Sequence, residues 1–488
     1  MMAATEEYDV VVLGAGPVGE NVADRVRAGG LSAVIVESEL VGGECSYWAC
    51  IPSKALLRPA IARADARRMP GLRQAVGGPL EAPAVFARRD EYVARWKDDG
   101  QVGWLESAGI DLVRGHGRLV GEKRVAVSDA DGRERHLTAR HAVAVCTGSS
   151  AALPGLPGLA DIRPWTSREA TSASAAPRRL AVVGGGVVAT EMATAWQALG
   201  SEVTVLVRGS GLLERMEPFV GELVAKSLTE AGAQVRTGTS VTGVRRAEPG
   251  GPAGSGSGAG PVTLTLADGE RLEADEVLFA TGRTPRTDDI GLETVGLEPG
   301  SWLRVDDSCR VVDVEGGWLY AVGDVNRRAL LTHQGKYQAR IAGAAIGARA
   351  QGAPLLETDR WGVHAATADI AAVPQVVFTD PEVAAVGLTA AQAEAEGRRV
   401  RVVDYDLAHV SGAGLYADGY RGQARMVVDL DRGHLIGVTF VGPGVGELLH
   451  SATVAVAGEV PVERLWHAVP AFPTISEVWL RLLETYRG

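Results

Sequence analysis

No stretch of this sequence reaches the ~18 consecutive apolar residues that a membrane-crossing helix needs, so nothing in it reads as a span. Long basic runs are absent too. The 49 Lys and Arg stand against 60 Asp and Glu, and a net charge of −11 argues against a phosphate backbone as partner, so nucleic acid is not expected. The first residues lack the apolar core of a secretory signal and carry Glu6, Glu7 and Asp9 instead, which points to a cytoplasmic protein. Cysteine is scarce: four in 488 residues exclude a disulfide framework. In a reducing compartment two cysteines close in sequence are read as chemistry rather than as a staple. No metal site is expected. What remains is an ordinary globular-enzyme composition, 46% hydrophobic with 62 glycines, long enough for about two to four domains.

Two segments share one design. Tyr8 to Leu13 is a β-branched-rich run entering Gly14-Ala15-Gly16-Pro17-Val18-Gly19, followed by a helix-like stretch and a second strand that ends at Glu37. Leu180 to Val183 enters Gly184-Gly185-Gly186-Val187-Val188-Ala189 in the same way, and Val203 to Val207 forms the next strand. Each reads as a βαβ unit with a dinucleotide-binding turn, and two of them in the right context predict two dinucleotide sites. In the first, Gly14, Gly16 and Gly19 allow a tight turn, close approach to a pyrophosphate and close helix packing, while Glu37 suits a ribose diol. Ala144 to Ser149, with Thr147 and Gly148, and Leu319 to Asp324, with Gly323 and Asp324, are strands running into small-residue turns. They support FAD there, Asp324 holding a ribityl hydroxyl.

The second site, with Gly184 and Gly186, has Val207 where an NAD site places an acid, and Arg208 follows. A guanidinium pairs with a 2′-phosphate that an acid would repel, so NADPH is expected over NADH, with Arg215 as a second clamp. From about Gln375 alternating strands and helices such as Gly446 to Ala457 suggest a separate α+β domain, and Glu248 to Pro261 reads as a flexible surface hairpin.

The segment Val41-Gly42-Gly43-Glu44-Cys45-Ser46-Tyr47-Trp48-Ala49-Cys50-Ile51-Pro52-Ser53-Lys54 carries the redox chemistry. Pro52 suits a first helical turn, which puts Cys50 at a helix N-terminus, where free N–H groups favour a thiolate. Five residues is too far for a disulfide across a regular turn, so a Cys45–Cys50 bond requires the chain before Pro52 to fold back.

With these segments, Glu191, Thr281-Gly282-Arg283-Thr284-Pro285 and Phe378-Thr379-Asp380-Pro381-Glu382-Val383, the chain resembles the flavoprotein disulfide reductases over its whole length. The resemblance implies an α/β fold of two Rossmann-like dinucleotide-binding domains plus a C-terminal α+β dimerisation domain. Its segments would be 1–152 for FAD, 153–282 for NAD(P)H, 283–355 completing the FAD and central region, and 356–488 for dimerisation. It further implies a homodimer, FAD at Gly43 and the first cradle, and Gly282 at the nucleotide sites. Cys50 would lie at the flavin, Cys45 would exchange with substrate, and Lys54 would sit near flavin N5 paired with Glu191.

The pattern breaks in three places. Such reductases end in His-Pro-Thr-x-Ser-Glu, but here Phe472 takes the place of the acid/base His, while Glu477, its orienter, remains. Mercuric reductases share the Phe-Pro but add a terminal cysteine pair that Leu483 to Gly488 lacks. Tyr47 and Trp48 stand where Asn and Gly are usual, either as an aromatic wall for flat acceptors or as packing residues, and Glu44 replaces a common Thr. The expectation is an NADPH-preferring FAD oxidoreductase passing electrons through Cys45–Cys50 to a small-molecule acceptor. That acceptor is a disulfide or other sulfur compound, or else a quinone or metal ion. The alternative is a flavin-containing redox sensor with a vestigial site.

Overall fold

The computed structural model describes residues 6–247, 260–355 and 358–488. It divides into two compact units, one of residues 1–51, 90–150 and 283–370, the other of 52–89, 151–282 and 371–488.

The first unit is built on a seven-stranded sheet. Strand Glu6–Leu13 lies between Ala33–Glu37 and Glu134–Val145, parallel to both, with Val12 beside Ile35 on one side and Ala144 on the other. A strand covered on both faces needs a continuous apolar run, and Val10, Val11 and Val12 are fully buried. Helix Pro17–Ala28, with proline in its first turn, makes the crossover and packs on helix Thr332–Ala350. Val22, Val26, Ala342 and Ile346 share one apolar cluster between these helices and the sheet.

The second unit contains a parallel four-stranded sheet in the order Gln234–Arg236, Glu202–Leu206, Arg179–Val183, Glu276–Phe279, crossed by helix Val187–Ala198. It also holds a five-stranded antiparallel sheet from Pro374–Val377 to Val400–Asp406, in which His434–Gly442 is buried along its whole length. Helix Leu449–Ala457 packs on that sheet. The compact units group the chain differently from the four sequence-based segments. Residues 52–89 go with the second unit because Leu56, Leu57, Ile61, Val85 and Phe86 share an apolar cluster with Trp196, Val377 and Val383. Most of the expected Glu248–Pro261 hairpin, residues 248–259, lies outside the described residues. Its flanking strands, Val241–Arg246 and Val262–Leu266, pair antiparallel.

Candidate active site

In the first unit the three glycines of the turn divide the work by steric demand. Gly14 has φ +100°, and a Cβ there would lie 2.5 Å from the Cys146 carbonyl oxygen. A Cβ on Gly19 would sit 1.9 Å from the Gly14 oxygen, so helix Pro17–Ala28 rests directly on the turn. Gly16 faces open space, the place where a phosphate would approach bare backbone at a helix N-terminus. Gly43 closes against it, a Cβ there falling 2.8 Å from the Gly16 Cα.

Glu37 ends its strand with one carboxylate oxygen accepting from the Ala15 amide and the other from the Glu39 amide, both at 2.7 Å. Each oxygen keeps a second lone pair for a hydroxyl donor. The Thr147 hydroxyl is buried without a partner among the described residues, beside the left-handed Gly148, and an orphan donor there fits a polar ligand. Asp324 accepts from Ser149 Oγ at 2.5 Å, and Arg283 holds Ser149 in turn through its hydroxyl and carbonyl, each at 2.6 Å. The Gly323 amide is fixed on Gln338 Oε1 at 2.7 Å. The open cradle, the orphan hydroxyl and the anchored acid fit FAD. Ser149 as an anchor of Asp324 escaped the sequence reading, although it adjoins Gly148.

The second unit repeats the turn. Gly184 has φ +133°, with a Cβ falling 2.3 Å from the Ala280 oxygen, while Gly186 faces open space and the buried Ala189 replaces the third glycine. Gly282, at φ +143°, accepts from the Ala152 amide at 2.9 Å. Arg208 and Arg215 are exposed, and neither makes a hydrogen bond or ion pair among the described residues. Glu214 shapes their loop by accepting from the Ser210 and Gly211 amides at 2.7 and 3.1 Å.

The cysteine pair lies in the first unit. Gly43–Tyr47 forms one helical turn carrying Cys45, the chain bends at Trp48, and Cys50 opens helix Cys50–Arg67. Neither cysteine is in a disulfide, and hydrogen bonding to Cys50 together with burial pushes the Cys45 thiol far up. Cys50 Sγ lies 3.3 Å from Thr332 Oγ1. Cys146 and Cys309 are buried thiols, pushed up by burial and closed off from a substrate. Glu44 has a partner in Arg286, at 3.4 Å. Tyr47 is buried, with its hydroxyl near the Val41 and Lys97 carbonyls at 3.1 and 3.3 Å, so it packs within the fold instead of forming a wall for an acceptor.

In the second unit Lys54 Nζ meets Glu191 Oε2 at 2.7 Å, and Glu191 Oε1 accepts from the Phe378 amide at 3.0 Å. Phe472 is 72% exposed. Glu477 is buried, with one oxygen 2.5 Å from Arg481 and the other without a partner among the described residues. Among the described residues there is no His, Cys, Asp and Glu cluster suited to a metal ion, and no helix long and apolar enough to cross a membrane.

Residues 8–352 match the family model of the pyridine nucleotide-disulphide oxidoreductases, and residues 373–482 match the dimerisation domain of the same enzymes. Dihydrolipoyl dehydrogenase 3 of Pseudomonas aeruginosa is 33% identical over 97% of this chain and 96% of its own. A mercuric reductase of Shigella flexneri is 33% identical over 96% of this chain and 78% of its own. Among solved structures, the HOCl-induced flavoprotein disulfide reductase RclA from Escherichia coli aligns at a TM-score of 0.80 and 22% identity, over 98% of this chain and 99% of its own. LpdA from Mycobacterium tuberculosis does so at 0.80 and 24%, with the same coverage. At these identities the structural likeness speaks for the fold alone.

Proposed function

Since the chain belongs to the pyridine nucleotide-disulphide oxidoreductases, FAD enzymes that use a pyridine nucleotide, a redox-active cysteine pair and a dimerisation domain, we propose that it reduces a small disulfide or related sulfur compound with NADPH. The observation that carries this reading is the Cys45–Cys50 contact: two thiols within hydrogen-bonding reach, the second at a helix start. When bound, FAD supplies the two-electron exchange between a nicotinamide and a thiol pair.

The residues then divide the tasks. Gly14, Gly16, Gly19, Gly43 and Thr147 to Gly148 hold the FAD, with Glu37 on the ribose and Asp324, steadied by Ser149 and Arg283, on the ribityl chain. Gly184, Gly186 and Gly282 hold the nicotinamide cofactor, and the unpaired Arg208 and Arg215 favour a 2′-phosphate. Cys50 is the thiol on the flavin side and Cys45 the one that attacks substrate. Lys54, fixed by Glu191, supplies positive charge to the reduced ring. Two copies pair through residues 373–482, and the cell compartment is the cytoplasm.

A second reading, electrons leaving to a quinone or metal ion without thiol exchange, is favoured by one observation. Phe472 stands exposed where an acid/base would serve a leaving thiolate, and Glu477 has instead turned one oxygen to Arg481. Steady-state NADPH oxidation by wild type and Cys45→Ser, across small disulfides, Hg(II) and quinones, separates the two. Loss of disulfide turnover in the variant supports the thiol relay. Quinone turnover that is fast and indifferent to the substitution would overturn it.

A further inference from the structure

Ala94, Arg95 and Trp96 stand one after another at φ +49°, +52° and +55°, in the left-handed region that favours glycine. L-residues enter that region singly and at a cost in free energy, so three in succession need contacts that hold them there. The turn is closed by the Trp96 amide on the Val93 carbonyl at 2.9 Å and by the Lys97 amide on the Ala94 carbonyl at 3.1 Å. Lys97 then returns to extended backbone, and Asp98 leads into helix Asp99–Ser107.

The segment this turn touches is the one that carries Cys45. The Trp96 indole Nε1 donates to the Tyr47 carbonyl at 3.2 Å, at the end of the Gly43–Tyr47 helical turn. The Tyr47 hydroxyl, on a buried ring, lies 3.3 Å from the Lys97 carbonyl and 3.1 Å from that of Val41. Asp98 Oδ2 accepts from the Val41 amide at 2.8 Å and from Arg114 at 2.6 Å, while Arg114 also donates to the Glu39 carbonyl at 2.8 Å. The Cys45 turn is thus gripped at its entry, at its exit and through the side chain of its last residue. Gly42 leaves little slack between them: it has φ +111°, and a Cβ there would meet the Tyr47 ring at 3.0 Å and Gln101 Nε2 at 3.1 Å. Cys50 is placed separately, at the start of helix Cys50–Arg67 with its Sγ 3.3 Å from Thr332 Oγ1.

We propose that residues 94–98 are a clamp that sets the stability of the Cys45–Cys50 disulfide, with Tyr47, Trp96 and Asp98 as its positioning residues. This rests on the disulfide-reducing reading above, in which the pair opens and closes in each turnover. A disulfide closes in proportion to the concentration that each thiol presents to the other, and fixing both partners raises it. Cys50 is fixed by its helix. Cys45 sits on a turn of five residues, too short to be rigid by its own hydrogen bonds, and the clamp supplies what the turn lacks. Loosening the clamp leaves both thiols in place but lowers their effective concentration, which makes the disulfide easier to reduce. The clamp also gives a task to Tyr47, whose ring departs from the usual pattern between the two cysteines.

The test is the redox midpoint of the pair in flavin-loaded protein, equilibrated anaerobically at neutral pH with mixtures of reduced and oxidised dithiothreitol. Each reduction moves two electrons and two protons from the reagent's thiols, which close to its cyclic disulfide, to the Cys45–Cys50 bond, which opens to two thiols. Free thiols are then trapped with N-ethylmaleimide, and Cys45 and Cys50 are read by peptide mass. Asp98→Ala and Trp96→Phe should each be half-reduced at a reduced-to-oxidised ratio about three- to tenfold below that of the wild type, as expected for one hydrogen bond lost from the closed form. Tenfold corresponds to about 30 mV. Asp98→Asn, which can still accept from Val41, should keep the wild-type midpoint. Tyr47→Phe removes a single oxygen from a buried ring and should shift the midpoint the same way, which decides the matter if Asp98→Ala does not fold. Trp96→Phe and Tyr47→Phe midpoints equal to that of the wild type, or moved to higher ratios, overturn the proposal, and so does an Asp98→Asn midpoint as low as that of the alanine variant. A wild type that cycles beside unshifted variants discards the clamp alone. A wild type whose two cysteines are trapped in full at every ratio forms no disulfide, and the disulfide-reducing reading then falls together with the clamp.

Discussion

Lys54 and Glu191 meet at 2.7 Å, and the same carboxylate takes the Phe378 amide with its other oxygen. One buried acid therefore ties together three stretches of chain: the helix after the cysteines, the helix of the second nucleotide turn and the start of the C-terminal sheet region. Glu191 is nearly inaccessible while Lys54 keeps about a third of its side chain in solvent. Removing the acid strands both an amide and an ammonium, but water rescues part of the ammonium. Glu191→Ala should cost about 1–3 kcal/mol in urea unfolding, and Glu191→Gln, which still accepts from Phe378, clearly less. Equal losses would place the stabilisation in the ion pair alone.

Arg208 offers the simplest test of cofactor choice. It is exposed at the end of the second nucleotide-binding strand region and has no partner among the described residues, so its substitution breaks nothing in the free protein. A charge-assisted bond to a 2′-phosphate is worth roughly 1.5–3 kcal/mol. Arg208→Ala should therefore lower kcat/KM for NADPH by about tenfold or more while leaving NADH nearly untouched. An unchanged ratio would move the discrimination to Arg215 or elsewhere.

How far the sequence spoke depends on the reach of each interaction. The steric demands at Gly14, Gly16 and Gly19 are local: a Cβ would clash with Cys146 at the first, meet open space at the second and strike the Gly14 oxygen at the third. Asp324 was legible as an acid after a glycine, but its anchors were not, because Ser149 lies 175 residues away and is itself held by Arg283 across 134. Glu20 is a charged residue on a helix by sequence, and the burial of one of its oxygens is a tertiary fact that its position in the helix does not announce. Arg481, by contrast, stands four residues after Glu477 and was a readable partner that went unread.

Phe472 and Glu477 define what thiol chemistry lacks. The phenyl ring is exposed and offers no proton, while Glu477 keeps one buried oxygen free. A histidine at 472 restores a group that ionises near neutral pH. Phe472→His should raise disulfide-dependent NADPH oxidation by about tenfold or more, given that a positioned general acid–base contributes ~10²–10⁴. The gain should shrink in Phe472→His/Glu477→Gln. No gain at all would mean that protons at the thiol site are already managed by other groups.

Glu20 also makes a prediction for stability that needs no substrate. Its carboxyl is pushed from an ordinary value near 4.5 up to about 7, chiefly by burial. A group raised on folding favours the folded state while protonated in both states. That stability is therefore complete below pH ~4.5, falls as the unfolded chain ionises first, and is gone once pH passes about 7. Gln mimics the protonated acid at every pH. Glu20→Gln should match the wild type in urea unfolding near pH 4.5 and exceed it at pH 8, by up to about 3 kcal/mol. Parallel stability curves for the two proteins across that range would mean that Glu20 is solvated and ionised throughout.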